Sequence, residues 1–241
     1  MIVAEHLHKR FDDGDVAVKE AHFDVAPGEI FGLLGSNGAG KTTTVHMILG
    51  HVEPTSGRAL VNGIDVTKDP LAAKRHVGYV SENVLLYGTL TAEQNFRFFA
   101  RISGADVPAA RERELLAKVG LGGAAKRRVE TFSKGMRQRL GIAIAVAKDP
   151  AAIVMDEPTT GLDPVGAREL SMLMGELRSA GKAILLVTHD IYRLKELADR
   201  IAVMRDGELL APVATSAIRD LEALYHEAMG APLVREVGRV A

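Results

Sequence analysis

Gly35-Ser36-Asn37-Gly38-Ala39-Gly40-Lys41-Thr42-Thr43 has the residue types and spacing of a loop that holds phosphate. Glycines at 35, 38 and 40 let the backbone curl so that successive N–H groups point inward at phosphate oxygens, at the positive end of the helix that follows. Lys41 adds a full charge for β- and γ-phosphates, and the Thr42 hydroxyl is placed to ligate Mg²⁺. A glycine-rich turn with an accidental lysine is the plainer explanation. A complete G-x-x-x-x-G-K-T between a strand and a helix argues against it. The second piece of chemistry is Ala152-Ile153-Val154-Met155-Asp156-Glu157, an apolar run that delivers two acids at its carboxyl end, where α/β sheets place their ligand sites. Asp156 would hold Mg²⁺, and Glu157 would orient or deprotonate an attacking water. Adjacent acids after a strand also serve as helix caps, but Pro158 blocks simple helix continuation here.

Both pieces need rigid elements behind them. Residues 29–34 read as a buried parallel strand, and residues 41–49 as a helix stopped by Gly50. Upstream, residues 2–8 and 21–25 alternate like exposed-edge strands around the turn cluster Asp12-Asp13-Gly14-Asp15, with the lone aromatic Phe11 between them. Residues 54–57 read as a loop, 58–61 as a strand, Asn62-Gly63 as a hairpin turn, and 77–80 as another strand. From Thr91 the pattern turns helical. Thr91 and Gln94 form a capping box for a helix to about Ile102, Pro108 begins a second that ends near Gly120, and residues 133–147 form a third. Strands at 151–155, 183–187 and 201–204 then alternate with helices at 165–180 and 191–198, and a final helix runs from about 216 to 229. The expected organisation is one domain. Residues 1–83 and 148–230 make an α/β core with its β subdomain, residues 84–147 an inserted helical subdomain, and residues 231–241 a loose tail.

Composition narrows the function classes. The 241 residues are 47% hydrophobic and 25% charged, ordinary values for a globular chain with a large core. A formal net charge of −1 argues against a general nucleic-acid binder, whose signature is a strong basic excess. No cysteine occurs, so disulfides and thiolate metal sites are excluded and a reducing compartment is expected. No run approaches the length of a membrane span and no leader is evident, so a cytoplasmic location is expected.

The segment Phe132-Ser133-Lys134-Gly135-Met136-Arg137-Gln138-Arg139 opens the third helix. Taken alone it is an N-cap serine followed by a basic first turn. About 20 residues before Asp156, and downstream of the phosphate loop, it resembles the signature of the ATP-binding subunits of ABC transporters, a resemblance that covers about residues 2–229. That family usually carries Leu-Ser-Gly-Gly-Gln there. Ser133 and Gly135 keep the two positions that meet the γ-phosphate bound by the opposite subunit, whereas Lys134 and Met136 depart from the commonest form. By the same resemblance Phe11 matches the aromatic that stacks on adenine, Asp163 in Gly161-Leu162-Asp163 the acid that couples the two sites of a dimer, and His189 the switch histidine. Glu82 stands where the family usually has the glutamine that approaches Mg²⁺ and the water. The resemblance thus implies an α/β fold with a P-loop NTPase (RecA-like) core, an N-terminal antiparallel β subdomain and an inserted α-helical subdomain.

It further implies ATP held by Phe11, residues 35–43, Ser133 and Gly135, Mg²⁺ held by Thr42, Asp156 and Glu82, and catalysis by Glu157, His189 and Lys41. The implied partners are a second copy, or a closely similar ATPase subunit, and an integral membrane permease, with no nucleic acid. The location would be the inner face of the plasma membrane. Glu82, the altered signature and Leu86-Tyr87-Gly88-Thr89-Leu90-Thr91 resemble bacterial exporters with a separate permease, of the drug, polysaccharide or maturation type. Permease docking would use a groove walled by Val84, Leu85, Leu86, Tyr87, Phe96 and Phe99. The competing class is a soluble ABC ATPase acting on nucleic acid or ribosomes, which usually shows tandem ATPase units or a long coiled-coil insert. A scaffold that binds ATP without turnover would be expected to lack Glu157 or His189.

Overall fold

In the computed structural model, which describes residues 1–230, the centre is β3 (Ile30–Gly35), buried along its whole length. It is paired in parallel on one side with β8 (Ala183–Thr188) and on the other with β9 (Arg200–Arg205). Beyond β8 the sheet continues in parallel through β7 (Ala152–Asp156) to β6 (Val77–Val80). Strands covered on both faces read as continuous apolar runs, and successive side chains divide between the two faces. Ile30, Leu34, Ile153, Met155, Ile184 and Leu186 enter one core, while Phe31, Leu33, Val154, Leu185 and Val187 enter the other. The first core is shared with α3 (Ala92–Ile102), α4 (Ala109–Lys118), α5 (Lys134–Ala145) and α6 (Pro164–Ser179); the second contains buried faces of the N-terminal strands and of α1 (Lys41–Ile48).

The N-terminal strands depart from the expected edges. β1 (Ile2–Arg10) lies between β2 (Val16–Val25) and β4 (Ser56–Val61), antiparallel to both, with the short β5 (Ile64–Asp65) beyond β4. Apolar alternation marks a strand with one buried face, and it says nothing about whether its backbone groups are paired. β1 and β4 are bent where they meet. His6 has φ 48, and a Cβ on Gly57 would lie 2.1 Å from the His6 carbonyl oxygen, so the close approach requires glycine.

Short elements escaped the sequence pattern. α2 (Pro70–Arg75) is capped by Asp69, which accepts from Ala72 N–H at 3.0 Å, with Pro70 in the first turn. The two-residue strands β10 (Glu208–Leu209) and β11 (Val213–Ala214) both pair with β9, and β10 also bridges to β2, which joins the antiparallel strands to the parallel sheet. The expected helix from 216 is corrected to a short 3-10 turn at Thr215–Ala217 followed by α8 (Leu221–Gly230), whose start is set by Asp220 accepting from Ala223 N–H at 3.0 Å. The tail expected at 231–241 lies outside the described residues. α3 begins with the anticipated reciprocal cap, Thr91 bonding Gln94 N–H and the Gln94 side chain bonding Thr91 N–H. α7 (Ile191–Leu197) links β8 to β9.

Candidate functional site

β3 ends at Gly35, and α1 starts after Gly40, which has φ 105 and sits at the N-cap without any side-chain cap. Two glycines of the intervening loop are fixed by crowding. A Cβ at Gly35 would lie 2.4 Å from the Met204 carbonyl oxygen, and one at Gly40 would lie 2.4 Å from that of Ala17. The loop is thus clamped between β9 and β2, with the amide end of α1 turned toward an open cleft of about 710 Å³. Asn37, Gly38, Gly40, Lys41, Thr42 and Thr43 line that cleft, and Phe11 faces them from the β1–β2 turn. Phe11 is 38% exposed and carries Lys9 Nζ 5.2 Å from its ring centroid, so its ring is available for stacking and is not a core side chain. Gly35, Ser36 and Ala39 do not line the cleft. Ala39 is buried, and the carbonyls of Gly35 and Ser36 accept from Lys41 Nζ at 2.7 and 2.9 Å.

Lys41 is held at the meeting point of the loop and the acids of β7. Burial pulls its ammonium below the usual lysine range, while Glu157 and then Asp156 pull it back up. Asp156 stands at the carboxyl end of β7. Burial, then Glu157, hold its carboxyl above the usual aspartate range; Glu82 adds to the effect, and Lys41 and His46 only partly offset it. Burial, with Asp156 nearby, also pushes the Tyr79 phenol up to about 12. Carboxylate charge therefore exceeds cationic charge beside the loop, the condition that a divalent cation relieves, and Thr42, Asp156 and Glu82 supply the hard oxygen donors such a cation takes. Among the described residues no group of three or more His, Asp or Glu side chains forms a metal site by itself.

Glu157 has φ 47, a left-handed conformation unusual for a non-glycine residue. Its Oε1 accepts from the His189 backbone N–H at 2.9 Å and lies 2.7 Å from His189 Nδ1. Its Oε2 accepts from the Thr188 and Thr160 hydroxyls at 2.9 and 3.0 Å. The structure thus brings Lys41, Asp156, Glu157 and His189 together at the carboxyl ends of β3, β7 and β8. Glu82, in the segment after β6, joins them electrostatically, and its carbonyl and that of Ser81 are approached by the buried Gln138 amide at 3.5 and 3.2 Å.

Ser133 and Gly135 do not line the cleft. Ser133 is exposed and caps α5 by accepting from Met136 N–H at 3.2 Å. Asp163 likewise caps α6, accepting from Gly166 N–H at 2.7 Å.

The segment from 18 to 160 matches the family model described as ABC transporter. The chain is also 38% identical over 213 residues to the linearmycin resistance ATP-binding protein LnrL of Bacillus subtilis, an alignment covering 88% of this chain and 68% of LnrL. This chain belongs to the ABC transporter family. Within it the chain is an ATP-binding subunit with an ATPase domain. It spans 24% to 65% of the length of other curated relatives it matches, which are longer proteins. A solved ATP-binding subunit of an ABC transporter matches with a TM-score of 0.84 at 30% identity, covering 94% of this chain and 98% of that one. The MJ0796 cassette, solved as a dimer in a post-hydrolysis state with ADP and Pi, matches with a TM-score of 0.79 at 25% identity, covering 90% and 100%.

Cleft residues not expected from the sequence are Asp15 before β2, Val16, Ala17 and Lys19 of β2, and Asp206 and Gly207 of the β9–β10 turn. Asp206, with φ 49 beside Gly207, was legible as a turn, but nothing local places that turn against the phosphate loop. The apolar wall expected at 84–99 divides between the core and the surface. Phe96 is fully buried in the first core and Val84 packs over Gly141, whereas Leu85 is 85% and Tyr87 50% exposed. Phe98, which was not expected there, stacks edge-on against Tyr87 at 5.1 Å. A separate groove of about 460 Å³ runs between α2 and the ends of α3 and α5, lined by Val77, Tyr79, Ile102 and Ile144 among others.

Proposed function

We propose that this ABC subunit binds ATP with Mg²⁺ in the cleft and hydrolyses it, Phe11 stacking on the base and Asn37, Gly38, Gly40, Lys41, Thr42 and Thr43 cradling the phosphates. In this reading Lys41 neutralises phosphate charge, and Glu157, oriented by His189, takes the proton of the attacking water. Thr42 and Asp156, with Glu82 close by, would hold the cation, whose chemistry is to neutralise charge on the phosphate oxygens. The observation that carries the reading is the convergence of Lys41, Asp156 and Glu157 beside a glycine-clamped helix start. Glu157→Gln should bind ATP normally and lose about 10² to 10⁴ in turnover, the usual worth of a positioned base. Unchanged kcat in that variant would remove Glu157 from the role.

The reading extends to partners. Two copies form a sandwich in which Ser133 and Gly135 of each complete the site of the other, supported by the place of these two residues outside their own cleft and by the dimeric MJ0796 neighbour. Dimer closure drives a separate membrane permease, with export as the direction, supported by the drug-resistance role printed for LnrL. No helix of the described residues is long and apolar enough to cross a membrane. In this reading the subunit works from the cytoplasmic face, docking the permease on the exposed apolar side chains of Leu85, Tyr87 and Phe98. In this organisation the chain is one ATPase domain with residues 84–147 as its helical subdomain. Nucleic acid has no part in it, in keeping with a net charge of −1.

A further inference from the structure

We propose that Thr160 is a positioning residue for the Glu157 carboxylate, tying the aim of that group to the Gly161-Leu162-Asp163 loop. The inference rests on the reading of Glu157 as the base. Glu157 leaves β7 in a left-handed conformation, so its side chain is aimed by its hydrogen-bond donors more than by the strand. Three of those donors, the backbone N–H and Nδ1 of His189 and the hydroxyl of Thr188, belong to the β8–α7 junction. Thr188 is buried, and its hydroxyl also accepts from Asp190 N–H at 3.1 Å, so it is part of the fixed frame.

Thr160 differs from these. Its hydroxyl donates to Glu157 Oε2 at 3.0 Å and its N–H to the Glu157 carbonyl at 3.2 Å, closing a turn directly after the acid. The next residues lie close to the start of α5. A Cβ on Gly161 would lie 3.3 Å from Lys134 Cδ, and one on Gly135 would lie 3.5 Å from Leu162 Cδ2. A shift at the α5 start is therefore transmitted to the one donor of Glu157 that is not anchored to β8. With that donor gone, Oε2 keeps Thr188 alone, and the carboxylate is freer to swing toward His189. A base must stand within hydrogen-bond reach of its proton, and displacement by about 1 Å can cost a factor of about 10².

The test is steady-state ATPase of the full chain carrying Thr160→Val, which keeps the shape and removes the donor. A kcat about 10- to 100-fold lower is expected, with KM for ATP, equilibrium ATP binding and Tm unchanged. Thr160→Ser should restore most of the rate, and Thr160→Val should cause no further loss in a Glu157→Gln background, because it acts through that carboxylate. Wild-type kcat in Thr160→Val beside an inactive Glu157→Gln would overturn the inference and leave the base reading standing. A loss shared equally by kcat, ATP binding and Tm would also overturn it, since Thr160 would then be structural. Full activity in Glu157→Gln would defeat the base reading itself, and this inference with it.

Discussion

The phosphate cleft and the start of α5 both present a helix N-terminus, glycine and hydroxyl groups, yet they are built differently. At the cleft the loop is clamped from β2 and β9, a lysine is folded onto it, and Glu157 and Asp156 act on that lysine, all within a single chain. At α5, Ser133 is exposed, its hydroxyl is occupied with its own helix, and neither it nor Gly135 lines the phosphate cleft. The contrast teaches that the loop has its charged groups in place within one chain, whereas the α5 start does not share their cleft. On the reading proposed above, the first is a half-site and the second completes the half-site of a second copy.

The largest expected effect comes from separating the two regions onto different molecules. Lys41→Ala damages the cleft and Ser133→Arg the α5 start, and each variant alone should be almost inactive. Mixed together, a pair with Lys41 from one copy and Ser133 from the other regains one intact site, so activity should reappear. A mixture as inactive as its components would mean that the two regions never meet across a pair.

A smaller effect sharpens the cleft side. Phe11→Ala should weaken nucleotide binding by about 1 to 3 kcal/mol, the usual loss for a base-stacking aromatic. Stacking reads no hydrogen-bond pattern, so GTP should compete appreciably with ATP. Native ATP affinity in the variant, measured by titration calorimetry, would detach Phe11 from the base.

The smallest effect probes the charge imbalance that separates the cleft from α5. Because Asp156 is held above its unfolded value, the folded protein disfavours the ionised carboxylate; the cost is absent below the unfolded pKa and fully present once pH exceeds the folded one. Asp156→Asn should therefore raise the Tm of the nucleotide-free protein at pH 7, and should lose the further stabilisation that Mg²⁺ with nucleotide gives the wild type. A lowered Tm without ligand would contradict the imbalance.

Much of this was legible in the sequence wherever the signal is contiguous. Residues 35–43 and 152–157 announce both their chemistry and their setting, because a buried strand needs an apolar run and a phosphate loop needs its glycines at fixed steps. The capping box at Thr91 and Gln94 is local too. What was not legible depends on segments distant in the chain. Val16, Ala17 and Asp206 reach the cleft only because β10 bridges β2 and β9, and a two-residue strand is too short to show a period. Phe96 and Phe98 sit two apart on one helix and differ in fate, the first buried and the second exposed, because α3 turns roughly 100° per residue and only one face meets the core. Thr160 gave no signal, since its hydroxyl reaches Glu157 only through the left-handed turn at that acid.

The shared site itself is tested most directly by ATPase rate against protein concentration, with ATP and Mg²⁺ saturating. Each working site is held to need Lys41 from one copy and Ser133 from another, so the rate should climb more steeply than concentration until pairing is complete and linearly after that. A strictly linear rate, down to concentrations at which ultracentrifugation finds only single copies, would contradict it.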